Sequence, residues 1–594
     1  MYFYHHPNKD DTARTCGALG RVAARLRHFR TSEDGSLIVF GLFLLLVMLG
    51  LTGMAVDVIR VETTRTQLQN TMDRAVLAAA DLDNDLDAKA VVEDYFDKAG
   101  LSQYLSDVQV TSSSAAGALS YRRVSATAQA EMDTLFMKFS GVDSLTAASG
   151  ATAEQGITDL EISLVLDVSG SMGGWTYGGS KIEKLREAAK DFSYYMQCNP
   201  NAQRGSGEPC SVNDGKVSIS MVPYAEQVTV GETLLEKFND PLLTHVDITD
   251  EHASSHCVTF DPEDFETADI MARNAQTPYW ELKRTGHFDA RSRWYDSTPN
   301  NRTCRTDDWR QVRPFVGDHT ELEGYIDALR ASGNTSIDIG MKWGTILLSP
   351  EMRKIVADLT STPGAGGAPV VDPAFFGRPY NFDQDYSMKV IVLMTDGVNT
   401  TQYYLKEPYR NGLSEVWRNT YYDDAFSIYN PDIDQYYYTK DGTWHDDPYG
   451  QGTDEVTVTN RTCTKNKKWW RGVRCSYTTT TQTVDQPGSA VQMTYQEVWE
   501  EFPTQWYERF SWLERPVESY GNATKNAQLD DICTAAKQQG IIVYTIGFEV
   551  DGAADTVMSK CATSPGHYFP ANGTNLAEVF GTIASSINQL RLTQ

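Results

Sequence analysis

The sequence predicts an α/β protein: a doubly wound, mostly parallel sheet with large insertions, preceded by a transmembrane helix and a small α+β domain. Three observations carry that expectation. From Glu161 onward, apolar strand-like runs alternate with amphipathic helical patterns, the sequence form of a parallel sheet with helices on both faces. Ahead of them, Leu37–Ile59 is apolar throughout, with Asp57 as its single charge. Irregular stretches at about 228–318, 357–386 and 401–525 interrupt the alternation and read as insertions.

Composition sets the bounds. A chain of 594 residues, 41% hydrophobic and 22% charged, has enough apolar residues to fold as two to four domains. Its formal net charge of −27 argues against a nucleic-acid partner, which calls for a basic surface.

The apolar run is long enough for a hydrocarbon layer of ~30 Å. Lys9, Arg14, Arg21, Arg25, Arg27 and Arg30 precede it, so residues 1–34 are expected to form a cytoplasmic basic head. Residues 35–60 then make a single uncleaved membrane span. The remainder is periplasmic or extracellular. Cysteine usage agrees with an oxidising compartment: Cys16 precedes the span and eight others follow it. They fall as neighbours, Cys198 with Cys210, Cys257 with Cys304, Cys463 with Cys475, and Cys533 with Cys561, which predicts four disulfides. None of these pairs has the spacing of a zinc knuckle. His252 and His256 beside Cys257 offer metal ligands, with a plain loop as the simpler reading.

Residues 61–155 read as a small domain. Val61, Leu68, Met72, Ala75, Val76 and Ala79 continue a helical apolar stripe, residues 85–100 suggest a second helix, and short alternating strands follow to about Ala153. In residues 156–594 the strands are EISLVLD, KVSISMVPY, MKVIVLMTD, IIVYTIGFEV and GHYFPA, separated by amphipathic helices such as KIEKLREAAKDFSYYM. The third insertion holds seven of the twelve tryptophans. Such density predicts a folded excursion with its own core, the alternative being an exposed aromatic binding surface.

In open α/β sheets, ligands bind at the carboxyl ends of strands. Asp167, Ser169 and Ser171 lie at the end of the first strand, Asp396 ends another, and Thr335 sits in a loop entering a helix. Two carboxylates and three hydroxyls suit a hard cation, Mg²⁺ or else Mn²⁺ or Ca²⁺. The set is expected at the surface, with room for water and an outside ligand. Catalytic patterns are missing: Ser169 stands where a G-x-S-x-G elbow around Ser171 needs glycine, and the chain contains neither a GxxxxGK[ST] nor an HExxH motif. No enzyme is expected.

Two resemblances sharpen this. Glu33, Asp34 and Gly35, the apolar span, its exit at Val56, Asp57 and Arg60, and Asp73-Arg74-Ala75 resemble the N-terminal region of TadE/TadG-like proteins of Flp (tight-adherence) pilus assembly, over roughly residues 30–155. The D-x-S-x-S pattern with its distant threonine and aspartate resembles the metal-ion-dependent adhesion site of von Willebrand factor A domains. That resemblance implies hydroxyl ligands from Ser169, Ser171 and Thr335, with Asp167 and Asp396 acting directly or through water. Together they imply a membrane-anchored protein that binds a partner's carboxylate, a pilus or envelope component, in pilus assembly or surface attachment. The alternatives are a metal-dependent envelope enzyme and a passive structural component of the envelope.

The topology is testable at once. Alkaline phosphatase fused after Gln594 should be active and a cytoplasmic reporter at the same place silent; the reverse pattern refutes the single outward pass.

Overall fold

The computed structural model describes residues 36–593 except 82–85, 116–117, 157–158, 245, 250–251, 272–279, 294–297, 385–386, 466–471 and 551. The basic head and Cys16 lie outside the described residues. The chain divides into two compact units, residues 1–157 and 158–594.

The first unit is built on α1 (Ser36–Ala80), which passes without a break from the apolar run into the amphipathic stripe. Its first half leaves Leu37, Phe40 and Leu46 bare, and α1 is the one helix among the described residues long and apolar enough to cross a membrane. Its second half buries Leu68, Met72, Ala75, Val76 and Ala79. They pack with Val92 and Phe96 of α2 (Ala88–Lys98) and with a three-stranded antiparallel sheet, β1 (Leu105–Ala115), β2 (Ala118–Asp133) and β3 (Ser144–Gly156). The facing strand residues are largely alanines (Ala126, Ala128, Ala130, Ala147), whose short side chains let the helix lie close to the sheet.

The second unit carries a six-stranded mixed sheet. Its members are β4 (Asp159–Asp167), β5 (Val217–Tyr224), β6 (Arg313–Val316), β7 (Ser387–Thr395), β8 (Ile542–Phe548) and β9 (Tyr568–Ala571), in the spatial order β6-β5-β4-β7-β8-β9. All neighbours run parallel except β6 against β5. The central strands are buried on both faces, as their continuous apolar runs require. One face, with Leu160, Ile162, Leu164 and Leu166 of β4, packs on α3 (Lys181–Gln197), α4 (His319–Ala328) and α8 (Leu576–Thr593). The other, with Val165 and Ile391, packs on α5 (Ile337–Ile346) and α6 (Asn522–Gln538). Between β8 and β9 runs α7 (Gly552–Cys561).

Helix α5 crosses the sheet at very short range. The Ser163 hydroxyl donates to the Gly344 carbonyl at 2.7 Å. A Cβ at Gly344 would fall 2.6 Å from Cγ2 of Val165, and one at Gly340 would fall 2.7 Å from the Tyr224 ring. Only glycine at both positions lets the helix settle there, and its N-terminus carries the Thr335 loop.

The insertions are more ordered than their sequence suggests. The stretch 228–318, read as irregular, contains a helix (Glu232–Phe238) and a three-stranded sheet of Val246–Ile248, Trp280–Arg284 and Val258–Thr259. It also holds β6, an edge strand of the main sheet absent from the sequence reading. Four residues including a proline, paired across a register irregularity, give no periodicity to read. From 357–386, Arg378 is buried and donates to the Leu160 carbonyl at 3.0 Å and the Gly215 carbonyl at 2.7 Å, tying this stretch to the strands' amino ends.

The third insertion has its own core. Leu413–Asn419, Phe426–Asn430, Gln435–Tyr438, Trp444–His445 and Ala490–Thr494 form a five-stranded sheet. Val416, Ile428, Trp499, Phe502, Trp506 and Tyr507 pack together, with Phe502 stacked on Trp506 at 3.7 Å. Trp469 and Trp470 lie outside the described residues. A long exposed hairpin, Thr453–Lys465 with Val473–Asp485, is crossed by the Cys463–Cys475 disulfide. Disulfides also join Cys198 to Cys210, Cys257 to Cys304, and Cys533 of α6 to Cys561 of α7. Cys257 is therefore bonded within the fold, and the histidines beside it gain no thiolate partner.

The packing of α5 yields a paired test. Gly344→Ala should lower the denaturant midpoint by the equivalent of ~1–3 kcal/mol through overpacking. Gly324→Ala on the outer side of α4, where a Cβ meets nothing within 4 Å, should be neutral or stabilising by up to ~1 kcal/mol.

Candidate functional site

The parallel register of β4 and β7 assembles the site. Leu166 pairs with Met394, so Thr395 stands beside Asp167 and Asp396 lies one step further along. Asp167 is wholly buried and its two oxygens are used separately. Oδ1 accepts the Ser169 backbone N–H at 2.8 Å, and Oδ2 accepts the Thr395 hydroxyl at 2.8 Å. Beyond the strand end the chain turns through Gly170–Gly173, which brings Ser169 and Ser171 to the same side.

The hydroxyls of Ser169 and Ser171 are 2.9 Å apart, and Ser171 donates to Asp396 Oδ1 at 2.6 Å. The proton of Ser171 goes to the carboxylate, so the oxygens of Ser169, Ser171 and Asp396 follow one another in a chain. The other oxygen of Asp396 faces Lys181 Nζ at 3.1 Å, at the start of α3. Lys181 also faces Glu549 at 3.6 Å. Lys181 is thus the ammonium that meets the charge of Asp396.

Thr335 arrives on a loop docked by backbone bonds. Ser332 N–H donates to the Val168 carbonyl and Gly170 N–H to the Gly333 carbonyl, both at 2.8 Å. Thr335 N–H donates to the Thr400 hydroxyl at 3.0 Å, while Thr400 N–H donates to the Thr335 carbonyl at 2.9 Å. Asn399 accepts the Ile337 N–H at 2.7 Å and so caps α5. Behind the loop, buried Lys525 of α6 donates to the carbonyls of Thr335 (3.3 Å) and Thr400 (3.2 Å) and pairs with Asp338 at 3.5 Å. Burial holds Lys525 below the usual lysine range and pushes Asp338 up. On the far side, Arg305 donates to the Ser332 hydroxyl at 2.9 Å, so the first insertion braces the same loop.

The structure therefore gathers Asp167, Ser169, Ser171 and Asp396 at one strand end and docks the Thr335 loop against them. The expectation of a surface site needs correction. Ser171 is exposed, but Asp167, Ser169, Thr335 and Asp396 are buried, because the 332–335 and 397–400 loops close over the strand ends. Four supporting residues went unread in the sequence. Thr395 was signalled only by adjoining Asp396, whereas Lys181, Thr400 and Lys525 come from segments whose approach a linear pattern does not contain. Trp175 (83% exposed) and Tyr177 (78% exposed) stand on the hairpin that follows the turn and offer an apolar rim.

Electrostatically the site wants positive charge. Burial, and then the charge of Asp396, push the Asp167 carboxyl up to about 6. The oxygen spacings of 2.9 and 2.6 Å are close to the ~3 Å edge of an octahedral shell at Mg²⁺–O distances. The donor set, all oxygen and partly hydroxyl, is of the kind a hard cation takes.

Comparison with known proteins adds the following. Residues 35–82, spanning α1, match the family described as "Putative Flp pilus-assembly TadE/G-like". Comparison with curated protein sequences gives no match. Among solved structures, the vWF domain of the type V pili tip protein Mfa5 from Porphyromonas gingivalis is similar at 14% identity and a TM-score of 0.27, covering 73% of this chain and 96% of that one. The pilus adhesin SpaC from Lactobacillus rhamnosus GG follows at 11% and 0.27, covering 81% and 34%. The PilB minor pilin from Streptococcus sanguinis is similar at 13% and 0.28, covering 81% and 78%. At these scores the neighbours carry no argument about what this chain binds.

The raised Asp167 carboxyl sets a pH dependence. Its folded value lies above the ordinary aspartate value of 3.8, so without metal its contribution is most favourable below about pH 4 and is lost as pH rises through about 6. The loss is at most ~3 kcal/mol. In EDTA, the melting temperature should fall across that window in wild type and less steeply in Asp167→Asn; equal slopes refute the assignment.

Proposed function

We propose that this chain is a membrane-anchored envelope protein whose second unit is a doubly wound, von Willebrand A-like module that binds a protein partner through a divalent cation. Asp167, Ser169, Ser171, Thr335 and Asp396 would hold Mg²⁺, or Mn²⁺ or Ca²⁺ in its place. When bound, the cation supplies an open position for a partner's carboxylate. The observation that carries this reading is the chain of oxygens Ser169–Ser171–Asp396 beside buried Asp167, drawn from two separate strand ends. The chain's own residues do the rest: Thr395 and the Ser169 N–H orient Asp167, Thr400 and Lys525 fix the Thr335 backbone, and Lys181 moderates the charge of Asp396.

The TadE/G-like match over the anchor supports a setting in Flp/Tad pilus assembly or surface attachment. Its single apolar helix among the described residues supports a bilayer-embedded anchor, and the arginines ahead of it favour placing the chain after the span outside the cytoplasm. Trp175 and Tyr177 beside the cation position would contribute apolar contact to the partner. The chemistry asked of the site is binding, and no step requires a protein nucleophile.

Titration calorimetry of the full chain in detergent with Mg²⁺ or Mn²⁺ tests this. Wild type should give saturable heat that Asp167→Ala and Thr335→Ala abolish while melting cooperatively. Absence of heat in wild type, or equal heat in all three proteins, defeats the cation reading.

A further inference from the structure

The segment between β2 and β3 carries an apolar surface that the second unit's function leaves unused. It forms a short turn, with one helical coil at Met137–Ser140, and leaves Leu135 57%, Phe136 41% and Phe139 92% exposed. Two phenylalanines and a leucine bare within five residues are costly in water.

This turn is fastened to α1. Asp57, buried despite lying in the apolar run, accepts three successive backbone N–H groups: Leu135 at 3.0 Å, Phe136 at 2.8 Å and Met137 at 2.8 Å. One turn earlier on the helix, a Cβ at Gly53 would fall 2.4 Å from Cγ of Phe136, so the ring rests where only glycine leaves room. The single acid of the run thus serves as a clasp.

Height along α1 gives the turn its setting. At 1.5 Å per residue, a hydrocarbon layer of ~30 Å takes up ~20 residues. Counted from Leu37, that layer ends near Val56, next to the clasp. On the face of α1 that carries Gly53, four and seven residues earlier, Leu49 and Leu46 are themselves exposed, so the apolar face of the turn continues the face that lipid would cover. Lys138 is exposed on the turn, and Arg60 lies 3.9 Å from Asp57, which places two cations where phosphate headgroups begin.

We propose that the turn Thr134–Gly141 is a membrane-inserting hook, whose Leu135 and Phe139 enter the acyl boundary of the bilayer that α1 spans, with Lys138 among the headgroups. This rests on α1 being a membrane anchor. The occupant is lipid because the exposed face is continuous with that of the span and is edged by cations. The hook gives the first unit a second point of attachment and fixes the rotation of α1 about its axis.

The test uses the full chain in nanodiscs of phosphatidylethanolamine and phosphatidylglycerol, with Cys16→Ser and Phe139→Cys, labelled at the new thiol with an environment-sensitive nitrobenzoxadiazole dye. Emission should be blue-shifted and quenched several-fold more by lipids brominated near the acyl carbonyls than by aqueous iodide. The same dye at Ser112→Cys, on exposed β1, should show the opposite preference. Adding Asp57→Ala should release the turn and reduce bromolipid quenching at position 139, while the chain still resists carbonate extraction. Water-like emission at 139 in a chain that resists extraction overturns the hook and leaves the anchor standing. Blue-shifted emission without bromolipid quenching also overturns it, assigning the face to a protein contact. A chain that carbonate releases from membranes overturns anchor and hook together.

Discussion

Taking the Asp167 carboxylate out of water at the end of an apolar strand is the constraint around which the second unit is arranged. A buried charge persists only if it is hydrogen-bonded and balanced. Here the Ser169 N–H and the Thr395 hydroxyl supply the hydrogen bonds, each from a different strand end. They do not supply positive charge, and Asp396 nearby adds a second negative one. Lys181 meets that need in part from the side of α3. The remaining imbalance of charge is the ground for the cation proposed there.

Holding that arrangement depends on a close helix. With Gly340 and Gly344 against Tyr224 and Val165, α5 lies near enough to the sheet for its N-terminal loop to reach the end of β4. The buried Lys525–Asp338 pair then fixes the same loop from α6. A buried pair of this kind is weak as a source of net stability but strongly directional, because displacing either partner strands the other. Packing and electrostatics therefore converge on the Thr335 loop, and the first insertion adds Arg305 to it.

The two units use acids in contrasting ways. In the second, Asp167 and Asp396 take two hydroxyls and an ammonium as well as one backbone N–H. In the first, Asp57 accepts three successive backbone N–H groups of one turn. Both are aspartates next to apolar runs, and the difference lies entirely in which chain segment reaches them.

Much of this was legible in the sequence because it is periodic or local. The continuous apolar runs of β4, β5, β7 and β8 announced strands covered on two faces, the stripe through Leu68, Met72 and Val76 marked the packed half of α1, and the tryptophan density of 401–525 implied the core that Trp499 and Trp506 form. Asp167, Ser169 and Ser171 were readable as a group because a strand end and one turn hold them. Tertiary structure alone decided what depends on segments far apart in the chain: that β6 completes the sheet, that Lys181, Thr395, Thr400 and Lys525 support the site, that its acids are buried, and that Asp57 clasps a turn some 80 residues away. Hydrophobic period is a property of neighbours along the chain. Burial of a carboxylate and the donors that satisfy it depend on neighbours in space, which no linear spacing encodes.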